Sequence, residues 1–246
     1  MDFNANTIEN ARNYLNIRYH ELASIKIIPS KEIEYEDKAI ITLYNNDLSS
    51  IYILNDHRGK GLYKKLVNHF NIKVIVTMNE CNISSYLTKN NINKLIVSPS
   101  QSYTLIKNYY GDKVTKRSGV KLMNHINEGL TILNNLDAEQ FVLDAYCLHP
   151  LFQSVDDFNK NINLDLNNID PKALILAIEY RRVANSYLSH MKPENFVGFT
   201  NNYIKQMLYA DKVQNEKDFR IYHEGKHPRS KELREYFDYW LKNLLV

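Results

Sequence analysis

Asp211 falls on the apolar stripe of a helix, with Ile204, Met207 and Leu208 as neighbours at helical spacing. Burying an ionised carboxylate costs several kcal/mol unless a metal, a cation or hydrogen-bond donors meet it. Asp211 therefore needs partners, and two histidines and an arginine qualify. His149 follows Phe141, Val142, Ala145 and Leu148 at spacings that share one helix face, and His125 lies beside the stripe Leu122, Ile126, Gly129 and Leu133. Arg181 continues the stripe of Leu174 and Ile178, with Asn185 one turn on and Leu188 after it. These polar side chains are expected to converge inside a helical bundle. The plainer alternative is a residual polar core whose members bond to one another.

The same residues carry a family resemblance. The run Tyr110-Gly111-Asp112-Lys113-Val114-Thr115-Lys116-Arg117-Ser118-Gly119-Val120-Lys121-Leu122-Met123-Asn124-His125 resembles the opening of the HD-type hydrolase domain of RelA/SpoT proteins, where glycine, arginine and Ser-Gly precede a metal-ligating histidine. Ala145-Tyr146-Cys147-Leu148-His149-Pro150 resembles that family's Ala-x-Leu-Leu-His-Asp, and Ala210-Asp211-Lys212-Val213-Gln214-Asn215 resembles its Leu-Ala-Asp-(Arg/Lys)-Leu-His-Asn. The three motifs stand in the family's order and span about residues 101 to 220.

The resemblance implies a divalent metal, usually manganese, held by two histidines and two aspartates, which activates water against a pyrophosphate ester. This chain keeps His125, His149 and Asp211, but it has Pro150 where the family has the second aspartate, and Gln153 and Ser154 where an acidic pair follows. Three protein ligands suffice for an open catalytic site, and Asp156 and Asp157 are the acids nearest the lost position. The resemblance also places Arg117 near a nucleotide base. Arg181 and Lys212 would offset phosphate charge, and Asn185 and Asn215 would complete the nucleotide site. Arg182, Lys217, Arg220, His223, His227 and Arg229 would add a cationic rim.

The N-terminal third has a different pattern. Ser24 to Ile28, Ala39 to Tyr44 and Ser49 to Leu54 read as strands, and Gly61 to Phe70 reads as a helix entered through Asp56-His57-Arg58-Gly59-Lys60-Gly61. Two glycines before a helix N-terminus let backbone N–H groups face a phosphate, which Arg58, Lys60 and Lys64 would favour. The segment Arg58-Gly59-Lys60-Gly61-Leu62 resembles the acyl-CoA pyrophosphate loop of GNAT N-acetyltransferases, and the strand Lys73 to Thr77, the helix Ser84 to Asn90 and the strand Leu95 to Ser98 follow in that family's order. The resemblance covers about residues 20 to 98. It implies acetyl-CoA as cofactor, with Asn82 and Tyr86 assisting CoA binding and thiolate departure. Ser49 to Leu54 offers no Asp or Glu as general base, and the module reads as too short for the family's first helices.

Ser98-Pro99-Ser100 is turn chemistry between a strand and a helix and marks the expected boundary. Beyond it the chain reads as helices near 102 to 110, 120 to 134, 138 to 149, 171 to 190, 201 to 219 and 230 to 245, with Asp170-Pro171 in N-cap and N1 order. The expected architecture is α+β with two modules: a GNAT-like α/β sheet over 1 to 98 and an HD-like all-α bundle over 99 to 246.

With 246 residues, 44% hydrophobic and 24% charged, the chain has the balance of a globular protein. A net charge of +3 without a basic patch disfavours duplex nucleic acid and suits a small phosphorylated nucleotide. No apolar run approaches the roughly 18 to 20 residues of a membrane span, and the polar start lacks signal-peptide character, so a cytoplasmic location is expected. Cys81 and Cys147 lack partners at zinc spacing and read as buried thiols. The Asn- and Tyr-rich, Gly- and Pro-poor composition suggests an AT-rich, phage-like origin.

Three functional readings follow. The first is binding of an alarmone-like nucleotide by the helical module, with metal-dependent hydrolysis if the metal is held. The second is acyl transfer from acetyl-CoA by the N-terminal module. The third is a non-catalytic protein that sequesters a nucleotide or binds a partner.

Overall fold

The computed structural model describes residues 4–78, 87, 89–116, 118–161, 163–184 and 201–244. The chain divides into two compact units, Met1–Pro99 and Ser100–Val246. It is an α+β protein, with a mixed sheet in the first unit and helices in the second.

The N-terminal unit runs α1 (Ile8–Ala23), β1 (Pro29–Tyr35), β2 (Ala39–Tyr44), β3 (Leu48–Ile53), α2 (Leu62–His69), β4 (Val74–Thr77) and β5 (Asn93–Ile96). The strands lie in sequence order, β1 to β3 antiparallel and β3 to β5 parallel. β2 is covered on both faces: Ile40 packs with Leu15 of α1, whereas Ala39 and Ile41 pack with Leu66 and Val67 of α2. This alternation is the two-residue period of a strand read out as two half-cores.

Three expectations change here. Ser24 to Ile28 is not a strand but the turn that follows α1. Lys26 takes a positive φ of 59°, and the Ile27 N–H reaches back to the Leu22 carbonyl at 3.1 Å, which closes the helix. Ile27 is buried and Ile25 partly buried around that turn, and these apolar residues so mimic a strand pattern. Before β1 the chain forms one helix, α1, which the sequence reading did not place, and Thr7 caps it by accepting from the Asn10 N–H. β1 escaped detection because Lys31, Glu32 and Glu34 give an edge strand a polar sequence.

The second unit contains, among the described residues, α3 (Gln101–Tyr110), α4 (Met123–Asn135), α5 (Gln140–Phe152), α6 (Val155–Asn161), α7 (Pro171–Val183), α8 (Asn202–Tyr222) and α9 (Ser230–Leu244). Asp170 caps α7 through the Lys172 N–H at 2.8 Å, with Pro171 in the first turn as its sequence requires. α5 is the central helix; Val142, Leu143 and every residue from Ala145 to Phe152 are buried. α6 was not anticipated.

α7 corrects a choice of face. Its buried side is Ala173, Leu176, Ala177, Tyr180 and Val183, whereas Ile175 and Ile178 are 66% and 46% exposed. The small Ala173 and Ala177 let α7 pack closely on α5, so Ile178 of the expected stripe is left exposed and Leu174 and Arg181 are only partly buried.

No helix among the described residues is long and apolar enough to cross a membrane. Leu130→Ala, at a fully buried core site, should lower the stability of the helical unit by about 2 to 5 kcal/mol. Denaturant unfolding followed by the fluorescence of Trp240, the only tryptophan and buried in the same cluster, would show the shift in midpoint.

Candidate metal centre

Four helices bring one polar cluster together. α4 delivers His125 from its first turn, α5 delivers His149 from its last, α8 delivers Asp211 from its middle, and α7 adds Tyr180. His149 and Asp211 are buried, and the side chain of His125 keeps 21% exposure. His125 Nε2 lies 3.3 Å from His149 Nε2 and 3.6 Å from Asp211 Oδ1, and the three ligand atoms all fall within 4.8 Å of one another.

The outer nitrogens fix what the inner ones offer. His149 Nδ1 is 2.6 Å from the Tyr146 carbonyl, which only accepts, so Nδ1 carries the proton. His125 Nδ1 is 2.7 Å from Gln214 Oε1, and Gln214 Nε2 donates to Asp218 Oδ2 at 2.7 Å, which sets the amide's orientation. His125 Nδ1 therefore donates as well. The His125 and His149 Nε2 atoms and a carboxylate oxygen thus face one another, with the Tyr146 hydroxyl 3.4 Å from His125 Nε2 as a nearby donor, and a proton or a metal among them would relieve the repulsion of their lone pairs.

The residues present fit a metal. Donors about 2.1 Å from a tetrahedral ion lie roughly 3.4 Å apart, close to the 3.3 and 3.6 Å from His125 Nε2 to its two partners, and each imidazole is oriented through its far nitrogen as metal-bound histidines are. Lys212 Nζ holds Asp211 Oδ2 at 3.0 Å, which leaves Oδ1 as the single oxygen facing the histidines.

Burial above all, then the neighbouring His125, holds the His149 pKa down at about 3, so that ring is neutral. Burial alone would raise the Asp211 carboxyl, but Lys212, His125 and His149 outweigh it and the net shift is downward. Lys212 shows the mirror image: burial opposes its charge, and Asp211 and Tyr236 more than restore it. Tyr146 and Tyr180 stay neutral because burial, reinforced by Asp211, pushes both hydroxyls well up.

Aromatic packing holds the cluster. The Tyr146 ring stacks on His125 with centroids 5.6 Å apart, and Tyr180 meets His149 edge-on at 5.1 Å. A Cβ on Gly129 would overlap the Tyr146 ring, so Gly129 is required for this close approach of α4 and α5. Tyr146, Tyr180 and Gln214 were missed as site residues. The legible signal for Tyr180 was the Ala173, Ala177, Tyr180 stripe.

Beside the cluster an open cleft of about 510 Å³ is lined by Thr115, Lys116 and Ser118 from the loop before α4, by Lys212, Asn215, Asp218 and Phe219 of α8, by His223, and by Leu233, Tyr236 and Phe237 of α9. The loop is a tight turn pinned by the Thr115 N–H on the Val120 carbonyl at 2.8 Å, with Gly119 at φ 70°. Lys212 joins cleft and cluster, since its Nζ lies both on Asp211 and 5.6 Å from the centre of the Tyr236 ring.

The other expected site residues are placed differently. Arg181 stacks over Phe158 of α6 at 5.5 Å and does not line the cleft. Asp157 accepts from Ser154 Oγ at 2.6 Å and from the Tyr109 hydroxyl at 3.3 Å, and neither it nor Asp156 joins the metal-ligand group. Of the expected rim, Lys217 pairs with Glu128 at 2.6 Å, Arg220 with Glu216 and Arg229 with Glu232 at 2.6 Å, which leaves much less net positive charge than the sequence suggested. Arg117 and Asn185 lie outside the described residues.

In the N-terminal unit, Arg58 donates to the Ile53 carbonyl at 3.0 Å and to Asn4 at 3.2 Å, and Lys60 donates to the Asp56 carbonyl at 2.6 Å. Gly59 and Gly61 adopt φ of 71° and 75° with open space around them, and Leu62 begins α2 and packs in its core. Asn82, Tyr86 and Cys81 lie outside the described residues. Cys147 is a fully buried thiol.

No family model, curated protein or solved structure matches the chain.

The buried neutral His149 links stability to pH. Its folded pKa of about 3 lies below the ordinary 6.5, so the unfolded chain binds a proton first, and the stabilisation present above pH 6.5 is lost as pH falls towards 3. In chelator-containing buffer the unfolding free energy, read from Trp240, should fall by up to about 1.4 kcal/mol per pH unit within that window. His149→Gln should flatten this slope; an unchanged slope would assign the effect to another group.

Proposed function

We propose that the helical unit holds a divalent metal, manganese, on His125, His149 and Asp211 and binds a phosphorylated, alarmone-like nucleotide in the adjoining cleft, with hydrolysis of its pyrophosphate ester. The observation that carries this reading is the convergence of His125 Nε2, His149 Nε2 and Asp211 Oδ1 within 4.8 Å of one another, each ring steered through its outer nitrogen. The bound metal would polarise a phosphoryl oxygen and lower the pKa of its water.

The cleft supports the nucleotide part. Its volume suits a small molecule. Tyr236, backed by the buried Phe219 and Phe237, offers flat apolar surface for a base, and Lys116 offers a cation for phosphate, with the Asp211-paired Lys212 at the buried end of the cleft. Asn215, one turn beyond Asp211, has both a donor and an acceptor for sugar or phosphate. Lys212 would orient phosphate next to Asp211.

Calorimetric titration with manganese, then with guanosine and adenosine di- and tetraphosphates, tests both halves while released phosphate or pyrophosphate is followed. Manganese should bind wild type and lose at least about tenfold in affinity in His125→Ala and His149→Ala. Turnover would establish a hydrolase; nucleotide binding without turnover would establish the sequestering alternative. Absence of manganese binding to folded wild type would remove the metal centre.

A second reading, binding of acetyl-CoA for acyl transfer by the N-terminal unit, is favoured by one feature of the sheet. β3 and β4 pair only at Leu48 with Val74 and Ser49 with Ile75, and a pocket of about 150 Å³ opens beyond, between Ser50 to Tyr52, Val76 to Met78 and α1. The turn through Gly59 and Gly61 follows β3 and leads into α2. Titration with CoA decides it: binding weakened by Gly61→Asp would support a pyrophosphate loop, and no binding to wild type would exclude the reading.

A further inference from the structure

Pro150 lies inside α5, in its last turn, and is buried. Proline has no backbone N–H, so it cannot donate to the carbonyl four residues earlier, which is that of Tyr146. That carbonyl instead accepts from the side chain of His149 at 2.6 Å. A neutral imidazole carries one ring proton, and spending it on this bond leaves Nε2 bare. The bare nitrogen is the one that lies 3.3 Å from His125 Nε2 within the ligand group. Were residue 150 to carry an N–H, that donor would lie in line with the Tyr146 carbonyl and compete with His149 for it.

We infer that Pro150 is a positioning residue: by vacating the Tyr146 carbonyl it gives that acceptor to His149 and sets the ring with its unprotonated Nε2 toward His125 and Asp211. The purpose of this device rests on the metal reading, but its geometry does not. The proline that stands where an acidic ligand would be expected thus serves the remaining ligand. Fixing a ligand histidine through its outer N–H is typically worth about ten- to a hundredfold in metal affinity.

Two measurements on the full chain test this. Long-range proton–nitrogen spectra of protein labelled at histidine nitrogen, recorded in chelator at neutral pH, report which His149 nitrogen carries the proton, with His149→Gln giving the assignment. Wild type should show the proton on Nδ1 alone, and Pro150→Ala should show a mixture with Nε2–H. Calorimetry should then show manganese affinity about tenfold lower in Pro150→Ala. A wild-type His149 protonated on Nε2 overturns the inference without recourse to any variant. An unchanged tautomer in folded Pro150→Ala also overturns it. If the tautomer shifts in Pro150→Ala but wild type binds no manganese, the positioning role stands and the metal reading alone falls.

Discussion

One buried carboxylate sets the terms for the helical unit. Asp211 stands in the middle of α8, fully within the core, and its charge has to be met on every side. Lys212 meets one oxygen, His125 approaches the other, and the Tyr180 hydroxyl bonds to the carboxylate from α7. Each partner comes from a different part of the chain, so the arrangement closes only when α4, α7 and α8 pack round α5. Removing a partner would strand the charge, which costs far more than the intact interaction contributes. The cluster is thus a condition on the bundle's geometry as well as a site within it.

The requirement propagates along α8. Gln214 accepts from His125 and donates to Asp218, while Lys217 ties Asp218 to Glu128 on α4. Glu216, also buried, is held by Arg220 and by Arg234 of α9 at 2.8 Å. Asp211, Lys212, Gln214 and Glu216 are all buried polar residues on one helix, and each has its partner. A helix with so many buried polar groups is stable only as part of this network, because no exposed face is available to solvate them. The same acids neutralise several of the cations that the sequence seemed to offer to a ligand.

What was legible in the sequence follows from which interactions are local. Asp211, His149 and His125 stood out because a polar residue on an apolar stripe is an anomaly visible without coordinates, and the capped start of α7 is written in Asp170-Pro171. The turn at Lys26 was not legible, because Ile25 and Ile27 are apolar for a turn packed on the core as much as for a strand. Arg181 misled because α7 has two apolar stripes, and the choice between them depends on α5 finding room beside Ala173 and Ala177. Gly129 was read as a stripe residue of one helix and Tyr146 only as a position in a motif of another; their meaning lies in a contact between those helices. Gln214 was invisible for the same reason, since its role exists only once α4 lies against α8.

The charge balance of the cluster bears on what it would hold. Asp211 and Lys212 cancel, and His149, kept neutral by burial, adds nothing, so a divalent cation at this point would bring uncompensated positive charge into a largely buried site. A second aspartate in place of Pro150 would have cancelled part of it. Without it, compensation has to come from outside the protein, and the open side is the cleft that Lys212 shares. Metal and anion would then each make the other's binding more favourable, by the reciprocity that governs any two coupled ligands. A site built this way would hold a metal weakly alone and firmly when an anion enters the cleft beside it, because each would supply the charge the other lacks.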